Sequence, residues 1–252
     1  MAYRVALWHP ELVTHVFTVC VPYAAPTRKY LSLEDFVATI APHFAYQLQF
    51  RSGELENAIR SEEDIKKFLS ALYGGRTEDR EVGFDAQVGV LLETLSRLRP
   101  SRLLNEEVCQ SIYVPRMNFA DNKQELDYYA KEFSRNGLNG PCTSLPHSTS
   151  PWKVLTTPVN WYRTREINYK DELALLNQRI TAPVLFIQAL RDTALPAHLG
   201  KGMTRTLPHL AFQQINTSHW ALWEKPKEVN EIIAWWLEEV VFGDTRPRQY
   251  KL

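Results

Sequence analysis

Two rhythms of apolar residues divide this chain. In the first, apolar residues crowd into strand-length runs: Val13–Val21, Pro183–Gln188 and Leu210–Ile215. Such runs suit strands covered on both faces, as in a parallel sheet. In the second, they recur every three to four residues, the spacing of one helix face. Glu54–Tyr73 is predicted as one helix, with Leu55, Ile59, Ile65, Phe68 and Leu72 along a stripe and Gly74-Gly75 to stop it. Asn122–Asn136 is another, stopped by Gly137, and Val88–Leu95 is a shorter one. Lys227–Phe242 is a last amphipathic helix that sets Val229, Ile232, Ile233, Trp236, Leu237 and Val240 on its core face. Met1–Pro10 reads as the tail of a helix that turns at His9-Pro10-Glu11, and Thr245–Leu252 as a basic, frayed tail.

The elements follow in the order strand, long helical stretch, two strands, helix. That order describes an α/β sheet interrupted by a helical insertion. The expected sheet core is 1–23 with 164–252, and the insertion is about 24–163. Ile167–Ile180 leads the chain back to the sheet. The insertion reads as a lid over an active site or as a plain helical subdomain, and the pattern suits both.

Composition narrows the function classes. The chain has 252 residues, enough for one domain with a lid, and is 44% hydrophobic and 23% charged, which excludes a disordered chain. Lys+Arg 29 balance Asp+Glu 29, so there is no electrostatic case for a nucleic-acid or anionic-membrane partner. No apolar stretch is long enough for a membrane span, and Met1–Pro10 is too short and polar for a secretory segment, so a cytoplasmic protein is expected. Cys20, Cys109 and Cys142 are widely spaced, form no metal pattern and read as buried or free thiols. No metal and no cofactor are expected.

Candidate chemistry sits just beyond the two later strands. Asp192 follows Pro183–Gln188 in the loop Ala189–Pro196, and His219 follows Leu210–Ile215 in Asn216–Pro226. In an open parallel sheet such loops share one edge, where ligands bind. A carboxylate that fixes the tautomer and orientation of an imidazole is what a general base needs. Asp192 could simply be a turn residue, and a histidine such as His219, taken alone, is more often structural than a base.

The acid, then His219-Trp220, then Glu224-Lys225-Pro226, resembles the C-terminal part of an α/β-hydrolase, and in particular the soluble epoxide hydrolase family. The resemblance extends to Asn160-Trp161-Tyr162-Arg163, similar to that family's Asn-Trp-Tyr-Arg signature, and to Tyr46-Gln47 in Ala41–Phe50, similar to its first Tyr-Gln element. It implies an α/β-hydrolase fold, here the C-terminal half of a mainly parallel sheet with a helical lid. It also implies hydrolysis of a small-molecule epoxide to a vicinal diol through a covalent ester, without a cofactor. On that resemblance His219 is the general base, Asp192 its acid partner, and Tyr46 and Tyr162 donate to the epoxide oxygen.

Two features depart from the pattern. Between Cys142 and Asn160 lie the 17 residues Thr143–Val159, ten of them Ser, Thr or Pro, which read as a retained in-frame intron or as a genuine surface loop. The family's nucleophile, an Asp on a sharp strand-to-helix turn, precedes the acid and the His. The ten glycines include no pair four apart, so no Gly-x-Asp-x-Gly, Gly-x-Ser-x-Gly or Gly-x-Cys-x-Gly occurs. Met1–Val13 resembles the stretch that follows such an elbow. The expectation is therefore an N-terminally truncated epoxide hydrolase with little or no turnover. A non-catalytic remnant or mis-assembled gene product is an alternative, as is a haloalkane dehalogenase-like hydrolase. The latter shares the order of groups but needs N–H donors for a halide.

Overall fold

Val184–Ala189 is buried at every position, and the fold of one half of the molecule is arranged around it. The computed structural model describes residues 1–99, 123–135, 159–175 and 177–243. In chain order the strands are β1 (Val16–Val19), β2 (Phe84–Asp85), β3 (Gly89–Val90), β4 (Val184–Ala189) and β5 (Leu210–Ile215). The helices are α1 (Ala2–Trp8), α2 (Leu33–Thr39), α3 (Tyr46–Ser52), α4 (Glu54–Ala58), α5 (Glu62–Leu72), α6 (Lys123–Arg135), α7 (Arg165–Glu172), α8 (Ala221–Glu224) and α9 (Pro226–Trp236). They form two compact units, one of residues 1–28 and 171–252 and the other of residues 29–170.

In the first unit β1, β4 and β5 make a parallel sheet in the order β1-β4-β5. Side chains alternate across a strand, so β4 feeds two cores at once. Val184 and Phe186 join Tyr3, Ala6 and Met203 on one face. Leu185, Ile187 and Ala189 join Ile215, Val229 and Trp236 on the other. This double burial is why the run is apolar without alternation. Gln188 is the buried polar exception, and both ends of its amide are engaged. It donates to the Ala197 carbonyl at 2.7 Å and accepts from Gln214 at 3.1 Å.

The second unit is mostly helical, with a small antiparallel pair, β2 and β3. Gln49 on α3 acts as a third partner of that pair: its side chain donates to the Val90 carbonyl at 3.0 Å and accepts from the Val90 N–H at 2.7 Å. Gly89, at φ 124, leaves the room this needs, since a Cβ there would meet the Gln49 amide. The single helix predicted over Glu54–Tyr73 is in fact two. Ile59 is extended, and Ser61 starts α5 with a capping box, accepting from the Asp64 N–H at 3.1 Å while Asp64 accepts from the Ser61 N–H at 3.0 Å. That reciprocal cap outweighs one continued turn. Val88–Leu95 is likewise not an α-helix: it holds β3 and enters a 3-10 helix, Leu92–Arg97. In the first unit α9 ends at Trp236 in a wider turn, Leu237–Val241. The wider turn advances the helix face, so Val240, expected in the core, is exposed. Asn122, Asn136, Thr143–Pro158 and Thr245–Leu252 lie outside the described residues, as do Cys109 and Cys142. Among the described residues no helix is long and apolar enough to cross a membrane.

Phe186 is fully buried between the sheet and its helices. Phe186→Ala should cost about 3–5 kcal/mol, read as a lower urea midpoint with an unchanged slope. Burial also pushes the Tyr3 phenol from 10.0 up to about 12, and the Cys20 thiol from 9.0 up to about 11 with help from the Asp192 charge. The folded state thus favours the protonated forms. Their contribution is complete below the ordinary values and is lost as pH climbs through the raised ones. Thermal melts should show stability falling between about pH 9 and 12, and less steeply in Tyr3→Phe.

Candidate active site

Parallel pairing sets the C-terminal ends of β4 and β5 side by side, and the backbone ladder continues past both. Leu190 N–H donates to the Ile215 carbonyl and Arg191 N–H to the Thr217 carbonyl, each at 2.9 Å. Two loops joined in this way carry Asp192 and His219 to the same place. The Asp192 carboxylate is buried and almost every acceptor site is used. Oδ1 takes the N–H groups of Ala194 at 2.9 Å and Leu195 at 2.8 Å, and Oδ2 lies 2.7 Å from Nδ1 of His219. A carboxylate only accepts, so Nδ1 carries the proton and donates it. The lone pair of the imidazole is then on Nε2. The His219 side chain is 40% exposed against 1% for Asp192, so the acid is locked away while the ring keeps a face toward solvent.

Cys20 stands beside this pair at the end of β1. Its φ of 65 lies in the left-handed region, and Val21 N–H donates back to the Val19 carbonyl at 2.8 Å, a tight turn with Cys20 at its centre. For a residue other than glycine this backbone costs about 1–3 kcal/mol. The Cys20 N–H donates to the Ile187 carbonyl at 2.8 Å and its thiol to the His219 carbonyl at 3.3 Å, which ties β1 to the same edge. Ligand-type atoms of Cys20, Asp192 and His219 lie within 4.8 Å of one another. Each is already engaged in hydrogen bonds, and burial holds the thiol protonated, so Cys20 buttresses the hydrogen-bonded Asp192–His219 pair.

Tyr46 and Tyr162 belong to the second unit and come together there. Their rings are edge to face with centroids 6.0 Å apart, and both stand against Phe50, at 5.4 and 5.1 Å. Tyr46 begins α3, and its N–H is held by the Ala86 carbonyl at 3.2 Å. Tyr162 lies in a 3-10 turn, Trp161–Arg163, which Arg163 fastens down. Its guanidinium donates to the Arg51 carbonyl at 3.0 Å and to Asn160 Oδ1 at 2.8 Å, and pairs with Glu56. Asn160 and Arg163 thus brace the turn that presents the tyrosine. Trp161 is exposed. Burial first, and then the neighbouring Tyr46, raise the Tyr162 phenol well above the ordinary range. A phenol so placed stays protonated and is a donor.

The sequence-predicted residues therefore meet as two pairs, Asp192 with His219 in one unit and Tyr46 with Tyr162 in the other. Sequence reasoning missed two neighbours of the first pair, Cys20 and Glu224. Cys20 carried no motif, and only the register of β1 against β4 brings it there. Glu224 stood in a recognised motif, but its partners Ser218 and Arg191 are visible only in three dimensions.

No protein-family model matches the chain. An epoxide hydrolase of Neurospora crassa, srdG, is 32% identical to it over 249 residues, 95% of this chain and 63% of that protein. The rat (Rattus norvegicus) bifunctional epoxide hydrolase 2 is 27% identical over 245 residues, 94% of this chain and 37% of that protein. Among solved structures, potato (Solanum tuberosum) epoxide hydrolase I matches with a TM-score of 0.62 at 19% identity, over 94% of this chain and 66% of that one. An epoxide hydrolase from Vigna radiata matches with a TM-score of 0.61 at 18% identity, over 94% and 65%. The chain thus spans less than two thirds of the curated relatives it matches. Likeness at such low identity speaks to the fold, and the sequence matches speak to descent. The chain is a homologue of the epoxide hydrolases and has the α/β-hydrolase fold.

Proposed function

We propose that these residues serve the hydrolysis of a small-molecule epoxide to a vicinal diol, with His219 as the water-activating base, Asp192 as its orienting acid, and Tyr46 and Tyr162 as donors to the epoxide oxygen. The observation that carries the reading is the 2.7 Å contact between Asp192 Oδ2 and His219 Nδ1 at the ends of adjacent parallel strands. In this reaction a carboxylate attacks an epoxide carbon, forming a C–O ester bond as the ring C–O bond breaks. Charge gathers on the ring oxygen, and a phenol O–H held protonated by burial stabilises it and supplies the proton. Nε2 of His219 then takes a proton from water, whose oxygen attacks the ester carbonyl. The resulting imidazolium is stabilised by the buried Asp192 carboxylate. The acyl C–O bond of the ester then breaks, and the departing alkoxide takes the proton from the His219 imidazolium and leaves as the diol. The carboxyl group formed gives up its proton, which returns through solvent to the phenolate, so that carboxylate, imidazole and phenol are all regenerated. A phenol held protonated at Tyr162 favours an oxygen leaving group over the halide of a dehalogenase, and a cytoplasmic location goes with the same proposal.

The 252 residues hold no Gly-x-Asp-x-Gly elbow to supply the carboxylate. Purified protein of this sequence is therefore expected to form no diol from a simple aryl epoxide, since losing one member of such a unit costs a factor on the order of 10⁴ to 10⁶. Turnover that disappears in His219→Ala would show that the chain supplies its own nucleophile. Joined behind a segment that supplies a Gly-x-Asp-x-Gly elbow, the same residues should yield diol, and His219→Ala in that fusion should accumulate the ester, seen as a mass gain equal to the substrate. Failure to trap an ester in a folded, substrate-consuming fusion sinks the assignment of His219.

The phenol pair has its own readout. In an ultraviolet titration the Tyr162 phenol should remain protonated after exposed tyrosines have ionised. Tyr162→Phe should thus leave the ionisation step in the ordinary range near pH 10 unchanged in amplitude. A smaller step in the variant would mean that Tyr162 titrates as an ordinary surface phenol.

A further inference from the structure

Each residue of the acid–base pair is preceded by a residue that one carboxylate holds. Ser218 comes just before His219, and Arg191 just before Asp192. Glu224, at the end of α8, reaches both. Its Oε1 accepts from the Ser218 N–H at 3.0 Å and from the Ser218 hydroxyl, and its Oε2 lies 3.2 Å from the Arg191 guanidinium. The same Arg191 nitrogen reaches the Asn216 carbonyl at 3.3 Å, and Ser218 Oγ in turn accepts from the Trp220 N–H at 3.3 Å. The carboxylate is mostly buried, at 17% exposure, whereas Arg191 is 61% exposed. The Ser218 arm is thus the better shielded of the two, because water screens an exposed ion pair.

From this geometry we propose that Glu224 is a positioning residue for the His219–Asp192 pair: it clamps the loop that carries the base onto the loop that carries the acid. The proposal rests on the reading of that pair as the water-activating base. Beyond the strand ends the two loops are joined by a backbone bond from Arg191 to the Thr217 carbonyl, by the Arg191 side chain on the Asn216 carbonyl, and by the side-chain contact of the pair itself. The clamp closes around both loops. With Ser218 fixed at its N–H and at its hydroxyl, the next residue has little freedom to swing its ring away from Asp192. The Glu224 charge is also felt inside the cluster, where it helps to keep the neighbouring Cys20 thiol protonated. The second residue of the clamp, Ser218, needs only an acceptor, so a neutral amide at position 224 keeps half of the device.

Proton NMR of the purified chain tests this through the far-downfield resonance of the Nδ1 proton shared by His219 and Asp192. Asp192→Asn, which removes the charged acceptor, identifies that resonance by its loss. Glu224→Ala should broaden the resonance or speed its exchange with water about tenfold or more, since local opening governs exchange. Circular dichroism should stay that of the parent, and Glu224→Gln should restore much of the signal through its carbonyl oxygen. If Glu224→Ala is too unstable to study, Ser218→Ala removes the hydroxyl arm and should speed exchange to a lesser degree. A resonance equally sharp and equally protected in Glu224→Ala, or in Ser218→Ala where that variant stands in, overturns the clamp. A parent chain without the resonance overturns the pair itself, and the clamp with it.

Discussion

The parallel register between β4 and β5 is the constraint on which the rest of the first unit depends. Six consecutive pairs, from Val184 with Leu210 to Ala189 with Ile215, set the two strands level at their C-terminal ends. Parallel strands end on the same edge, so a residue a few positions past each end arrives in the same place. A slip of one residue would turn every side chain of β5 to the opposite face and carry the His219 loop out of step with Asp192. The full burial of β4 makes such a slip costly, because both of its faces are committed to packed cores.

Burial does different work in the two pairs of polar residues. Asp192 is a buried carboxylate, which is tolerable only because two backbone N–H groups and one imidazole satisfy it. The same contacts tie it to Nδ1 of His219. Tyr162 is neutral, and burial keeps it so by raising the cost of the phenolate. One environment therefore produces a fixed acceptor and the other a standing donor. Cys20 obeys the second rule: burial beside Asp192 holds it as a thiol, and its hydrogen serves the His219 carbonyl.

Local chemistry overrode periodicity at several places. The stripe from Leu55 to Leu72 has helical spacing throughout, and Leu55, Ile59, Ile65 and Phe68 are indeed buried together. The chain nevertheless breaks between α4 and α5, since Ser61 and Asp64 form a cap that a continuous helix would forbid. At the far end of α9 a single wider turn was enough to move Val240 from the expected core face to the surface. Apolar spacing reports which residues share a face. It does not report where hydrogen bonds between side chain and backbone will interrupt the path.

The amino-acid sequence by itself determined the strands of the sheet, the loops that carry Asp192 and His219, and the apolar stripes that build both units. Those features are local: they follow from runs, spacings and turn residues within about twenty positions, where propensity and periodicity act. The likeness of Asn160–Arg163 and of the His219 segment to a known family was legible for the same reason, as short contiguous motifs. Only the tertiary structure decided that Asp192 and His219 stand 2.7 Å apart, that Cys20 joins them from β1, and that Glu224 holds Ser218 and Arg191 together. Tyr46 and Tyr162, more than a hundred residues apart in the chain, likewise meet only through the packing around Phe50. Contacts across such separations depend on strand register and on how helices stack, and no stretch of sequence contains them.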